Sequence, residues 1–151
     1  MAFSERGEKA LATCHPDLQR VARLAMTWSE GLVLWDMVQG ARTIEQQQEY
    51  ADAGNSKVNP KDYPDLSKLY AKAKHVTGPG MPYSRAYDIV LVTEQPKGKY
   101  DERGLAFVAA IMMVAAKSLG VKMRWGADWD EDRVLFEPGT FIDGPHFELM
   151  L

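Results

Sequence analysis

Hydrophobic residues recur along this chain with two periods, and the change from one to the other predicts its elements. Leu18, Val21, Ala22 and Ala25 follow i, i+3, i+4, i+7 spacing behind Pro16, a residue well suited to a helix start. A shorter helical pattern covers residues 4–13, so His15-Pro16 reads as a hinge between two packed helices. Gly31 ends the second helix, and the apolar run over residues 32–38 reads as a buried strand closed by Gly40. Thr43-Ile44-Glu45-Gln46 matches a capping box, and the helix it opens ends at Gly54 as a left-handed cap.

Residues 55–84 are punctuated by Pro60, Pro64, Gly78, Pro79, Gly80 and Pro82, which leaves room only for a short helix near residues 66–74. A strand follows over residues 86–93, a turn over 94–100 and a long helix over 101–119, stopped by Gly120. The apolar run at its centre, residues 105–116, is twelve residues long. A bilayer span needs about 20, so this run predicts a buried core helix and no membrane insertion. Residues 121–125 predict a strand, 126–140 a polar, Trp-bearing loop, and 141–151 a closing strand bent at Gly144-Pro145. With no repeat, low-complexity tract or linker, the uneven mixture predicts a single α+β domain over residues 1–151.

Composition narrows the chemistry. The chain has 151 residues, 46% hydrophobic and 26% charged, with a formal charge of −3. That acidity argues against a nucleic-acid partner. The one cysteine, Cys14, excludes an internal disulfide and a thiolate zinc cluster. Any histidine-based site must come from His15, His75 and His146. No apolar segment follows the polar N-terminus, so no cleavable signal peptide is expected.

Two of the three histidines stand in unusual surroundings. His75 opens a Gly/Pro-rich loop leading to Ser84-Arg85-Ala86-Tyr87-Asp88, and His146 lies in Asp143-Gly144-Pro145-His146-Phe147-Glu148-Leu149. Two imidazoles and one carboxylate suffice for a catalytic zinc with an open fourth position, and a separate carboxylate must then take a proton. Asp143 stands beside His146 for that task, across a break in the pleat at Gly144-Pro145. Glu148, on the same strand face as His146, suits a supporting partner of the imidazole. A lone histidine near a strand is more often structural, and no His-Glu-x-x-His pattern is present.

The string Asp143-Gly-Pro-His-Phe-Glu-Leu149, with Trp125-Gly-Ala-Asp-Trp129 upstream, resembles the C-terminal signature of the D-alanyl-D-alanine carboxypeptidase-like zinc peptidases. It most resembles the branch of phage endolysins that are L-alanyl-D-glutamate peptidases. Cys14-His15-Pro16-Asp17-Leu18, Gly40-Ala41-Arg42-Thr43 and Gly54-Asn55-Ser56-Lys57 resemble further segments of the family, in its order.

The resemblance implies a small, mainly antiparallel sheet flanked by helices, a hedgehog/D-Ala-D-Ala peptidase-like domain with no separate wall-binding domain. It implies His75, Asp88 and His146 as ligands of one Zn2+ ion, Asp143 as general base and Arg42 at the scissile carbonyl or its oxyanion. Aspartate at 143, where carboxypeptidase relatives have glutamate, favours the endopeptidase branch. Trp129 suits stacking against substrate, Trp125 suits either that or core packing, and Ser56 suits substrate contact or a turn cap. The acidic run Asp128, Asp130, Glu131 and Asp132 reads as a solvated loop, with a weak calcium site as the alternative, its spacing unlike an EF-hand. The family pattern spaces its histidine and aspartate by six residues. Here twelve, Val76 to Tyr87, intervene, which reads as an inserted loop.

The implied function is hydrolysis of the L-Ala–D-Glu bond of peptidoglycan stems by a monomer, held in the host cytoplasm until a holin opens the membrane. The alternatives are a D-Ala-D-Ala carboxypeptidase on the same fold and a non-catalytic wall-binding protein with a vestigial metal site.

Overall fold

A computed structural model describes residues 2–94 and 96–150; Gln95 of the expected turn and Leu151 of the closing segment lie outside the described residues. Five helices, α1 (Glu5–Ala12), α2 (Pro16–Trp28), α3 (Ile44–Asp52), α4 (Leu66–Lys72) and α5 (Glu102–Ser118), surround four strands. The strands are β1 (Trp35–Gln39), β2 (Ala86–Leu91), β3 (Met123–Trp125) and β4 (His146–Leu149), ordered β1-β2-β4-β3 and antiparallel throughout. This is the α+β architecture expected from the sequence. Among the described residues no helix is long and apolar enough to cross a membrane.

Local chemistry accounts for the helix starts. Ser4, Thr43 and Asp101 cap α1, α3 and α5 by accepting a backbone N–H, and the Thr43–Gln46 capping box is complete in both directions. His15 caps α2: its Nδ1 accepts from the Asp17 N–H at 3.2 Å, directly before Pro16. The hinge is pinned to the chain ahead of β2, where His15 N donates to the Ser84 carbonyl and Ser84 N to that of Thr13.

Strand alternation divides the sheet into two faces. Trp35, Met37, Tyr87, Ile89, Met123, Trp125, Phe147 and Leu149 belong to the main core with α1, α2 and α5. The opposite parity carries Asp88, Arg124, His146 and Glu148. Trp125 takes the core alternative: it is 5% exposed, stacks on Phe147 and donates Nε1–H to the Gly144 carbonyl. Fully burying each such side chain contributes about 1.5–3 kcal/mol. A second cluster, Leu69 and Tyr70 of α4 with Ala73 and Val76, packs against Ile44 of α3 and Val58, Tyr63 and Met81.

Four expectations are corrected. The strand expected over 32–38 begins at Trp35, because Leu32 and Val33 turn back onto the Ser29 carbonyl and leave Leu32 65% exposed. The strands expected over 121–125 and 141–151 are also shorter. Val121 N bonds back to Ala116 O, and residue 143 is tied to Gly126 rather than to a neighbouring strand. The expected core helix α5 is amphipathic: Leu105, Val108, Ala109, Met112, Ala115 and Ala116 are buried, whereas Phe107 and Val114 stay 48% and 58% exposed. Its apolar run is unbroken, but only one side lies against the sheet and α2.

Cys14 is fully buried, its thiol facing the Ala10 and Ala86 carbonyls at 3.6 and 3.8 Å, and burial pushes its pKa up to about 12. Reactivity follows the thiolate. Iodoacetamide at pH 8 is therefore expected to leave the native protein unlabelled and to add one carbamidomethyl group in guanidinium, as read by intact mass.

Candidate metal centre

The sheet register brings two of the expected site residues together. Asp88 of β2 is the cross-strand partner of His146 of β4, and its Oδ1 lies 3.0 Å from His146 Nδ1. His75 comes from the loop after α4. Its Nε2 lies 3.3 Å from the same Asp88 oxygen and 3.2 Å from His146 Nδ1, closing a triangle of donor atoms.

The outer nitrogens fix what the inner ones present. His75 Nδ1 is 2.7 Å from the Gly40 carbonyl, which can only accept, so this nitrogen carries the hydrogen. His146 Nε2 is 2.9 Å from Glu148 Oε2 and donates to it. In the neutral imidazoles both inward nitrogens then hold lone pairs facing a carboxylate oxygen. Three convergent lone pairs repel unless a cation lies between them, so the set could hold a metal ion. A proton is the substitute: burial opposes it, but the hydrogen bonds that His146 then donates to Asp88 and Glu148 hold its pKa up near 9. Those imidazoles hold the Asp88 carboxyl well below the usual range, although its burial acts the other way.

Each support has a local cause. A Cβ on Gly40 would stand 2.2 Å from the Ala10 carbonyl, so only glycine lets the chain press against the α1 end and aim its own carbonyl at His75. Arg42 N donates to His75 O and Thr77 N to Arg42 O, docking the His75 backbone onto the segment after β1. The twelve residues between His75 and Asp88 fold into a tight turn, with Gly78 and Met81 exchanging backbone hydrogen bonds and the Tyr70 hydroxyl donating to Pro79 O. The twelve-residue spacing therefore leaves the two side chains together. Arg124, the cross-strand partner of Glu148, donates Nη2–H to Glu148 Oε1 at 2.5 Å, extending the line Arg124–Glu148–His146.

A cavity of about 590 Å³ opens over this triangle, within the usual range for ligand sites. Arg42, Ser56, Trp129 and Asp143 all line it. Asp143 stays outside the triangle; its backbone N–H is fixed to Gly126 O, and its own carbonyl accepts from His146 N. Gly126 is required there, since a Cβ would meet Asp143 O at 2.1 Å. Burial, followed by the charge of Asp88, raises the Asp143 carboxyl above its ordinary pKa. Trp129 stacks on Phe141, and its ring centre lies 5.4 Å from that of His146. Ser56 Oγ accepts from Gln47 Nε2 and Val58 N, so it serves a turn while facing the cavity. His15 is the α2 cap and takes no part.

Sequence reasoning missed Arg124, Gln47 and Gln39. Arg124 had a readable signal, a charge between two apolar residues of a strand with the parity of Glu148. Gln47 is the inward i+3 position of Ile44 on α3, and it is 1% exposed. Gln39 had no such signal, because it reaches the site through a bulge in β1. The carboxylates of Asp128, Asp130 and Asp132 also lie near one another, but they bond mainly to backbone N–H groups of their own loop.

The family model for the phage L-alanyl-D-glutamate peptidases matches residues 1–150. The L-alanyl-D-glutamate peptidase of Escherichia phage T5 is 33% identical over 154 residues, covering 98% of this chain and 97% of that protein. The crystal structure of the Serratia marcescens L-Ala D-Glu endopeptidase ChiX superposes with a TM-score of 0.65 at 28% identity, over 99% of this chain and 90% of the other. A vancomycin-resistance D,D-dipeptidase, VanXYg, shares the fold alone, with a TM-score of 0.50 and 17% identity over 90% of this chain and 50% of its own. The signature around His146, the donor triangle and the full-length match converge: this chain belongs to the phage L-alanyl-D-glutamate peptidase family.

Proposed function

We propose that residues 2–150 form one catalytic domain that hydrolyses the L-Ala–D-Glu bond of peptidoglycan stem peptides, with one zinc ion held by His75, Asp88 and His146. The observation that carries this reading is the donor triangle. Ligands of a tetrahedral zinc, about 2.0–2.1 Å from the metal, stand about 3.3 Å apart; the three edges here are 3.0, 3.2 and 3.3 Å. The donor types, two neutral imidazoles and a carboxylate, also suit zinc.

When bound, zinc supplies Lewis acidity, polarising the scissile carbonyl and lowering the pKa of water to about 7. The remaining work belongs to side chains. Asp143 accepts the proton of the attacking water at its carboxylate and returns it to the leaving amine. Its raised proton affinity suits both transfers. Arg42 faces the oxygen on which charge develops. Glu148, steadied by Arg124, keeps the His146 ring oriented. Trp129 offers a flat surface for substrate, and the Ser56 hydroxyl, already accepting twice, has its hydrogen free to donate.

The charge of the cavity fits an acidic substrate. Arg42, Lys57, Lys72, Lys74 and Arg124 line it against Asp88, Asp143 and Glu148, a positive balance on a chain of formal charge −3. A glutamate residue linked onward through one carboxyl keeps the other as an anion. In this role the enzyme serves host lysis, meeting the wall once a holin has opened the membrane.

Digestion of purified muropeptides, read by mass spectrometry, tests the bond. The expected products are a muramyl-L-alanine and a peptide with a new glutamate amino terminus. Release of terminal D-alanine instead establishes the carboxypeptidase alternative, and no cleavage by zinc-loaded protein establishes the vestigial one.

A further inference from the structure

The two arginines of the cavity are held in different ways. Arg124 is neutralised by Glu148. Arg42 is held by amides: Nη2 donates to Gln39 Oε1 at 2.6 Å and Nη1 to Gln47 Oε1 at 2.7 Å, while the Tyr50 ring covers its face at 4.0 Å. Among the described residues no carboxylate forms an ion pair with it.

Both glutamines are built in. The β1–β2 register shifts between Met37 and Gln39, and this bulge sets Gln39 opposite Asp88, at the edge of the site. Gln47 is 1% exposed; besides holding Arg42, its Nε2 donates to Ser56 Oγ at 2.9 Å and Val58 O at 2.7 Å. It therefore ties the arginine to the loop that forms the cavity rim. Glutamate at either position would bind a guanidinium more strongly. What the amides uniquely provide is a fixed orientation without cancelling the charge, in surroundings where charge is weakly screened.

Asp88 and Asp143 act on Arg42 from beyond ion-pair distance. We propose that Gln39 and Gln47 are positioning residues that hold Arg42, free of a direct ion pair, aimed at the oxygen anion developing on the scissile carbonyl. This rests on the assignment of Arg42 given above.

Gln39→Glu is the primary test, since it preserves shape and the contact with Arg42 while adding a compensating charge. On a muropeptide substrate kcat is expected to fall about tenfold to hundredfold, with KM changed less than about threefold. Zinc stoichiometry and Tm should equal or exceed those of the wild type. A clamp that serves only folding predicts the same Tm but full activity; kcat within twofold of wild type thus overturns the proposal. If Gln39→Glu loses zinc, Gln47→Glu is read by kcat and zinc content alone, because it also removes the Nε2–H donated to Ser56 Oγ and Val58 O and its Tm is expected to fall. Arg42→Met separates the levels: wild-type kcat there removes the Arg42 assignment itself, whereas a loss there with full activity in Gln39→Glu removes only the amide clamp.

Discussion

His146→Ala is expected to lose zinc, activity and stability together. The substitution removes one donor of three and parts Glu148 from the imidazole it accepts from at 2.9 Å. Glu148 is 5% exposed, and among the described residues Arg124 is the ion-pair partner it keeps. Breaking a buried charged pair by truncating one side costs about 3–5 kcal/mol; the retained arginine places the expected loss in the metal-free protein at or below the lower end. Even supporting partners of a metal ligand are worth about 10–100-fold in affinity, so loss of the ligand itself should abolish stoichiometric binding. Zinc per chain by elemental analysis, muropeptide turnover and Tm form the measurement, with His15→Ala as the control that keeps its metal. Stoichiometric zinc in His146→Ala contradicts the ligand assignment.

Asp143→Ala is expected to separate binding from chemistry. The Asp143 carboxylate lines the cavity without joining the donor triangle, so all three donors survive its removal. Zinc content should stay at one per chain, while kcat falls about 10²–10⁴-fold, the usual effect of losing a positioned general base. KM should move little, because the deleted group takes a proton rather than holding substrate. Loss of zinc in this variant places Asp143 among the ligands instead, and retained turnover removes it from the mechanism.

Much of this site was legible because it lies on a sheet. Parity along residues 146–149 separates His146 and Glu148 from Phe147 and Leu149, and the structure keeps that division, with the latter pair in the core. The break at Gly144-Pro145 marked where Asp143 could depart from strand geometry. What escaped reading depends on backbone events without a side-chain signature. The bulge that turns Gln39 toward Asp88 is one, and the Gly40 carbonyl that orients His75 is another. The exposed side of α5 escaped for a different reason. Its apolar run is continuous, so periodicity could not reveal that Phe107 and Val114 stay about half exposed.

The strand order carries a consequence for biosynthesis. β4 lies between β2 and β3, yet it is made after both. A nascent chain that has reached residue 145 has one imidazole and one carboxylate of the triangle, and a gap where the sheet should continue. Four more residues close the gap, bury Phe147 and Leu149, and bring the second imidazole to Asp88 in the same step. Closure of the sheet and completion of the donor triangle are thus one event, and a chain cut before His146 is expected to have neither.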